Sequence, residues 1–272
     1  MCLNGMKFIS EYYVIVKQIF IIAYMTGILW LRRNPLSLVF TAISPFSLLF
    51  ILFIVSSGHY VQFAVAGSLV MALVGYGLSL GQDISLYKLE YKMQDMFVAS
   101  PVSPLTYMLG LAFSELVYGF PALLVLASLA VYFSTSISFL PLLIINIFLI
   151  WGTMSSIGFF LSSHMLHMRN ATQLISFVNV ILAVIPPVFY SIDRLPLPLQ
   201  IVFYFIPTTH ASLMLQYSMG FPTPMQWSIG LGLFVQISYL VFFIILAKKK
   251  PYGEKIKSNY FFVPLSCEYL LF

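Results

Sequence analysis

The chain has 272 residues, of which 61% are hydrophobic, 17% aromatic and only 8% charged, against roughly 25% charged in an ordinary soluble domain. Its 13 basic and 8 acidic side chains cannot furnish a water-facing shell for a chain of this length, so lipid must cover most of the outside. Backbone groups in hydrocarbon must be bonded within the protein, and continuous apolar runs of about 20 residues select helices over the alternating strands of a barrel.

In chain order, Met1 to Glu11 mixes Lys7 and Glu11 with apolar residues and is expected to stay uncleaved. The segment Tyr12 to Leu31 has the length and hydropathy of a span. Spanning would carry Arg32 and Arg33 to the outer face and leave only Arg32 to Pro35 to turn the chain, so an interfacial helix with Lys17, Arg32 and Arg33 at headgroup level is preferred. The first clear span is Leu36 to Val55 and ends at Ser56-Ser57-Gly58-His59. The second, Val61 to about Leu80, is rich in the Gly, Ala and Ser that let membrane helices pack closely.

A charged stretch, Asp83 to Asp95, follows. As a helix, Ile84 to Val98 aligns Leu86, Leu89 and Met93 with Met96 or Phe97 and turns Lys88, Lys92 and Asp95 away. Such a helix either rests on lipid or serves as a docking peg for a partner's groove. Spans three and four, Leu105 to Phe133 and Phe139 to Ser162, are joined by Ser134-Thr135-Ser136. Span five is Ala171 to Ile192 and span six Trp227 to Ala247, halted by Lys248-Lys249-Lys250. Between them Asp193 to Gln226 is long yet apolar; Thr208 or Thr209 is expected to cap a short interfacial or re-entrant helix that Gly220 ends.

Basic residues set the orientation. Lys7, Lys17, Arg32, Arg33, Lys88, Lys92, Arg169 and the lysines of 248–257 fall on one side and Arg194 alone on the other, which places both termini in the cytoplasm. The net charge of +5 then reflects topology beside anionic lipid and gives no reason to expect nucleic acid. Cys2 and Cys267, at the cytoplasmic ends, are expected to be reduced thiols.

No Gly-rich loop ending in Lys-Ser or Lys-Thr, no paired-cysteine motif and no Gly-x-Ser-x-Gly elbow occurs, so any energy source must come from elsewhere. Glu115 is the only carboxylate inside an expected span. At about 2.5 to 3.5 kcal/mol for a mid-membrane charge it must face protein or water, either lining a translocation path or bonding a polar neighbour. Asn146, Asn179 and Gln236 are read as interhelical hydrogen-bonding groups or as path-lining ones. His164 and His167 lack a third ligand, and no metal site is expected.

The run Asp95-Met96-Phe97-Val98-Ala99-Ser100-Pro101-Val102-Ser103, followed by Gly110, resembles the stretch after the second span of type-two ABC transporter permeases. Arg32-Arg33-Asn34-Pro35, Arg169, Pro187 with Tyr190, Leu195-Pro196 and Pro207-Thr208-Thr209 follow that family's order over nearly the whole chain. The sequence departs from it in Lys92-Met93-Gln94, where a Gly-Thr pair is usual, and in the apolar tail from Asn259 to Phe272.

The resemblance implies an all-α integral membrane protein of about six transmembrane helices. An N-terminal amphipathic interfacial helix precedes them, a cytoplasmic coupling helix joins spans two and three, and short re-entrant or interfacial helices precede span six. Residues 1–35 form the interfacial part, 36–247 the permease domain and 248–272 the cytoplasmic tail. The function implied is an exporter subunit in the cell membrane, without nucleotide site or cofactor of its own. It pairs with a second copy or a related permease and with an ABC ATPase that holds ATP and Mg. Leu86, Leu89, Met93, Asp95 and Phe97 would dock the ATPase, Glu115, Asn146 and Asn179 would line the path, and Pro207, Thr208 and His210 would form an outer gate. The rival readings are an ATP-independent ion-coupled carrier or channel, and a membrane-embedded enzyme using Glu115 or the His164 and His167 pair.

Overall fold

The computed structural model describes residues 2–55, 61–91, 102–133, 140–165, 167–221, 223–224 and 227–249, among which there are helices and no strands. Helix α1, Cys2–Ala23, runs through a π-helical turn, Tyr24–Ile28, into α2, Leu29–Arg33. Within that turn Thr26 donates its hydroxyl to the Ile22 carbonyl at 2.7 Å, bonding a group that the wider turn releases. Asn34 leaves the helical region because Pro35 follows it. The remaining long helices are α3 (Ser37–Val55), α4 (Val61–Leu89), α5 (Pro104–Tyr132) and α6 (Leu140–His164). After them come α7 (Met168–Ala183), α8 (Leu197–Tyr204), α9 (Pro207–Ser218) and α10 (Ile229–Lys249).

By length and composition, Tyr13–Arg33, Phe63–Leu89, Leu105–Tyr132, Leu140–His164 and Ile229–Leu246 are each able to cross a membrane, and Pro45–Ile54 is a shorter apolar helix. The N-terminal segment is thus among the span-length helices, and it packs along α5. A Cβ on Gly110 would touch Ile22, one on Gly27 would touch Ser114, and the Trp30 ring stands edge-on to Tyr118 at 5.2 Å.

Helix α4 is the centre of the bundle, with α3, α5, α6, α7 and α9 packed round it. Leu69, Leu73, Leu78 and Leu80, which point to different sides of it, are all buried. Its contact with α6 is backbone to backbone: a Cβ on Gly81 would lie 2.5 Å from the Gly158 carbonyl oxygen. Only glycine at both positions permits that approach.

Three boundaries differ from the sequence expectation. The second span does not end near Leu80; α4 continues to Leu89, so Ile84 to Leu89 extends the span helix and does not open a separate one. Neither proline nor a chain reversal interrupts Gly81-Gln82-Asp83, and the packing of Gly81 on Gly158 holds that turn in the bundle. The rest of the expected coupling helix, with Met93, Asp95 and Phe97, lies outside the described residues.

The fifth span expected to reach Ile192 stops as a helix at Ala183, because Pro186 and Pro187 offer no N–H and push the residue before them out of the helical region. The irregular backbone that follows is tolerated because protein encloses it: Val188 and Ile192 are buried. Tyr190 donates to the Ile185 carbonyl at 2.9 Å and Ser212 to the Val188 carbonyl at 3.1 Å.

The third difference is at the start of α9. Neither Thr208 nor Thr209 caps it; Pro207 occupies the first helical position, where its fixed φ is favourable and its missing N–H is not needed. The end matches expectation. Gly220 has φ 80°, Phe221 N–H bonds the Gln216 carbonyl at 3.0 Å and Gly220 N–H bonds Tyr217 at 2.9 Å, a Schellman closure. Helix α9 is buried along nearly its whole length between α4, α6 and α10, the re-entrant of its two expected placements. At α5, Ser103 accepts from Thr106 N–H at 3.1 Å and Pro104 opens the helix.

Candidate functional site

Along α4 the residues Tyr76, Ser79, Asp83 and Tyr87 recur at spacings of three and four and therefore share a face. That face, with Glu115 and Tyr118 of α5 and Trp30 of the N-terminal helix, bounds a cavity of about 420 Å³. Pro45 of α3 and Asn179 of α7 complete the wall.

Glu115 is buried, and the Ser79 hydroxyl donates a short hydrogen bond to its Oε2 while also reaching the Tyr76 carbonyl at 2.9 Å. Asp83 lies beside Glu115 on the same wall. Glu115 is thus not the only carboxylate inside a span, since the extension of α4 brings Asp83 in as well. Two carboxyl groups can bond each other only where at least one of them holds a proton. Tyr118 anchors the N-terminal helix by donating to the Thr26 carbonyl at 2.6 Å. No Lys, Arg or His among the described residues lines the cavity.

The residues expected to line a path separate into two places. Glu115 and Asn179 meet at the cavity. Asn146 does not; fully buried, it donates to the Ala211 carbonyl at 2.8 Å and accepts from Gln236 at 2.9 Å, tying α6 to α9 and α10. Asn146 and Gln236 therefore carry the interhelical role. Of the docking residues, Leu86 reaches the cavity wall and Leu89 ends α4, both half-buried.

Pro207, Thr208 and His210, expected to form an outer gate, are all buried in α9. His210 is bonded at both ring nitrogens: its Nε2–H donates to the Tyr204 carbonyl at 2.7 Å and its Nδ1 accepts from Trp227 Nε1–H at 3.2 Å, which fixes a neutral tautomer. Burial holds the imidazole below its ordinary range, against the opposing pull of the Tyr204 carbonyl. A depressed folded-state value means that this histidine's contribution is whole above about pH 6.5 and is lost as pH falls from there toward the folded-state value, because the unfolded chain takes the proton first. Melting temperature in detergent should accordingly drop between about pH 7 and pH 5, and His210→Gln should flatten part of that slope; an identical slope in the variant would assign it to other groups.

At the C-terminal end of α6, His164 Nδ1 bonds its own helix at the Phe160 carbonyl, 2.9 Å away. No group of His, Cys, Asp or Glu among the described residues is arranged to hold a metal ion.

Sequence reasoning missed Asp83, Ser79 and the aromatic wall. Ending the span at the first charge hid the stripe Tyr76, Ser79, Asp83, Tyr87, whose helical spacing was legible once the helix was allowed to continue.

A bundle of span-length apolar helices enclosing a polar-lined cavity is the architecture expected of a membrane transport protein. The particular family follows from sequence: residues 17–220 match the ABC-2 type transporters, and the chain belongs to that family. It is therefore an ABC transporter permease, a membrane subunit that is not itself the catalyst and that associates with an ABC ATPase. No curated protein matches the chain.

Proposed function

We propose that this chain is the permease of an ATP-driven exporter, moving a hydrophobic or amphipathic substrate out of the cell with energy from a separate ATPase that binds ATP and Mg. Membership in the ABC-2 family over residues 17–220 carries this reading. In it the protein sits in the cell membrane with both termini in the cytoplasm, as a homodimer or with a related permease. The three-part division at residues 35 and 247 and the outer-gate role of Pro207, Thr208 and His210 belong to the same reading. The burial of α9 suits it to plug the outer side.

The inner end of α4 is the natural lever. Leu89 terminates a helix that runs unbroken past Asp83, so a push delivered at Leu89 reaches the cavity wall through one rigid element. Proteoliposomes holding the permease and its ATPase should export substrate only with ATP. Leu89→Asp with Met93→Asp should cut that transport at least about tenfold and release the ATPase on purification, since charge is placed in an apolar contact. Transport and assembly unchanged by the double substitution would remove the lever.

A second reading, an ion-coupled carrier, is favoured by the Asp83 and Glu115 pair alone. Transport driven by an ion gradient in vesicles without ATP would establish it.

A further inference from the structure

We propose that the cavity walled by the N-terminal helix, α4 and α5 binds an organic cation, a lipophilic cation that carries N–H groups, with its charge on the Asp83 and Glu115 pair and its apolar body among the surrounding rings. This names a substrate class for the proposed exporter and rests on that reading for its transport role, though not for binding itself.

Three independent observations converge on that ligand. The first is charge. Two carboxyl groups face the cavity, no Lys, Arg or His among the described residues contributes to it, and the Ser79 hydroxyl donates to Glu115. Carboxyl oxygens in low dielectric attract a cation strongly and repel an anion.

The second is the wall itself. Trp30, Tyr76, Tyr87 and Tyr118 line it, and the faces of such rings attract a cation. A volume of about 420 Å³ lies within the roughly 300 to 1,000 Å³ of small-molecule pockets.

The third is an orphaned acceptor. Asn179 lines the cavity, and its Oδ1 is buried with no hydrogen-bond partner. Buried acceptors are nearly always bonded, and an N–H of an amine is the donor that this oxygen and the carboxyl pair could both accept from. A neutral hydrocarbon would leave the Asn179 oxygen unanswered.

The test is binding to the purified chain in neutral detergent or zwitterionic nanodiscs, with ethidium as the cationic probe and Nile red as the neutral one. Ethidium, a planar aromatic cation with amino N–H groups, should bind saturably by fluorescence anisotropy. Glu115→Gln and Asp83→Asn should each weaken ethidium at least about tenfold while changing Nile red little. Trp30→Leu, at a position 44% exposed, should weaken ethidium about fivefold. This rim variant keeps the test decisive should a carboxyl variant lose its folded yield.

Absence of saturable ethidium binding to the wild type, or binding that all three substitutions leave unchanged, would overturn the site. Because the assay uses neither ATP nor ATPase, the two readings fail separately. Charge-selective binding without ATP-dependent transport would sink the exporter and keep the site, whereas ATP-driven export with no charge selectivity would do the reverse.

Discussion

Gly81→Ala is expected to remove most of the folded protein from the membrane. The added Cβ would meet the Gly158 carbonyl oxygen at 2.5 Å, the Ile175 side chain at 2.9 Å and the Gly158 carbonyl carbon at 3.0 Å. Two of those three are backbone atoms in the middle of a helix, which no rotamer change can move aside. The helices must part, and the loss falls where α4 packs most extensively. Overpacking costs typically 1 to 3 kcal/mol, and with backbone as the obstacle about 3 kcal/mol or more is expected, a large share of the 5 to 15 kcal/mol that folded proteins have. Gly158→Ala should act in the same direction, since its Cβ would stand 3.0 Å from the Gly77 carbonyl oxygen. Gly230→Ala is the matched control, with nothing within 4 Å of the added carbon. Size-exclusion profiles and melting in detergent measure all three; a Gly81→Ala protein as stable as Gly230→Ala would mean that the seam between α4 and α6 is looser than described.

Asn146→Leu should be the most damaging change among the buried polar residues away from the cavity. It deletes the donor to the Ala211 carbonyl and the acceptor of the Gln236 amide. The Gln236 Nε2 is left with only the Met214 sulfur at 3.2 Å, a weak acceptor, and its Oε1 already has no partner. Leaving a buried amide unanswered costs about 1 to 3 kcal/mol, although interhelical bonds in membranes are often worth only about 0.6 kcal/mol because the separated helices find other partners. A loss of about 2 kcal/mol is expected. The sign of the coupling is the sharper test: Asn146→Leu with Gln236→Leu should recover part of the loss, because an apolar pair leaves no orphaned group. Additive damage in a double-mutant cycle would show that the two side chains contribute by packing alone.

How much of this was legible beforehand varied along the chain for physical reasons. Span-length helices announced themselves because lipid demands about 20 apolar residues in a row, and α3, α4, α5, α6 and α10 begin within a few residues of their expected starts. The inner end of α4 was hidden by the opposite inference, that a charge ends a span. Asp83 stays inside because a carboxyl on another helix answers it. The break of α7 at Pro186 and Pro187 was written in the sequence but outweighed by the apolar residues beyond it, which are buried as irregular chain. His210 looked isolated because its partners, Tyr204 and Trp227, lie on other elements.

By itself the sequence determined that this protein lives in lipid as helices and which family it belongs to, because hydropathy and local motifs are properties of consecutive residues. Only the tertiary structure decided which polar groups face each other. Asp83 and Glu115 are 32 residues apart in number and adjacent in space, while Asn146 and Glu115, equally polar by type, serve different ends. Composition cannot distinguish a carboxyl that bonds a neighbour across a cavity from one that faces lipid; the packing of α4 against α5 does, since the low dielectric around it makes every unanswered charge costly.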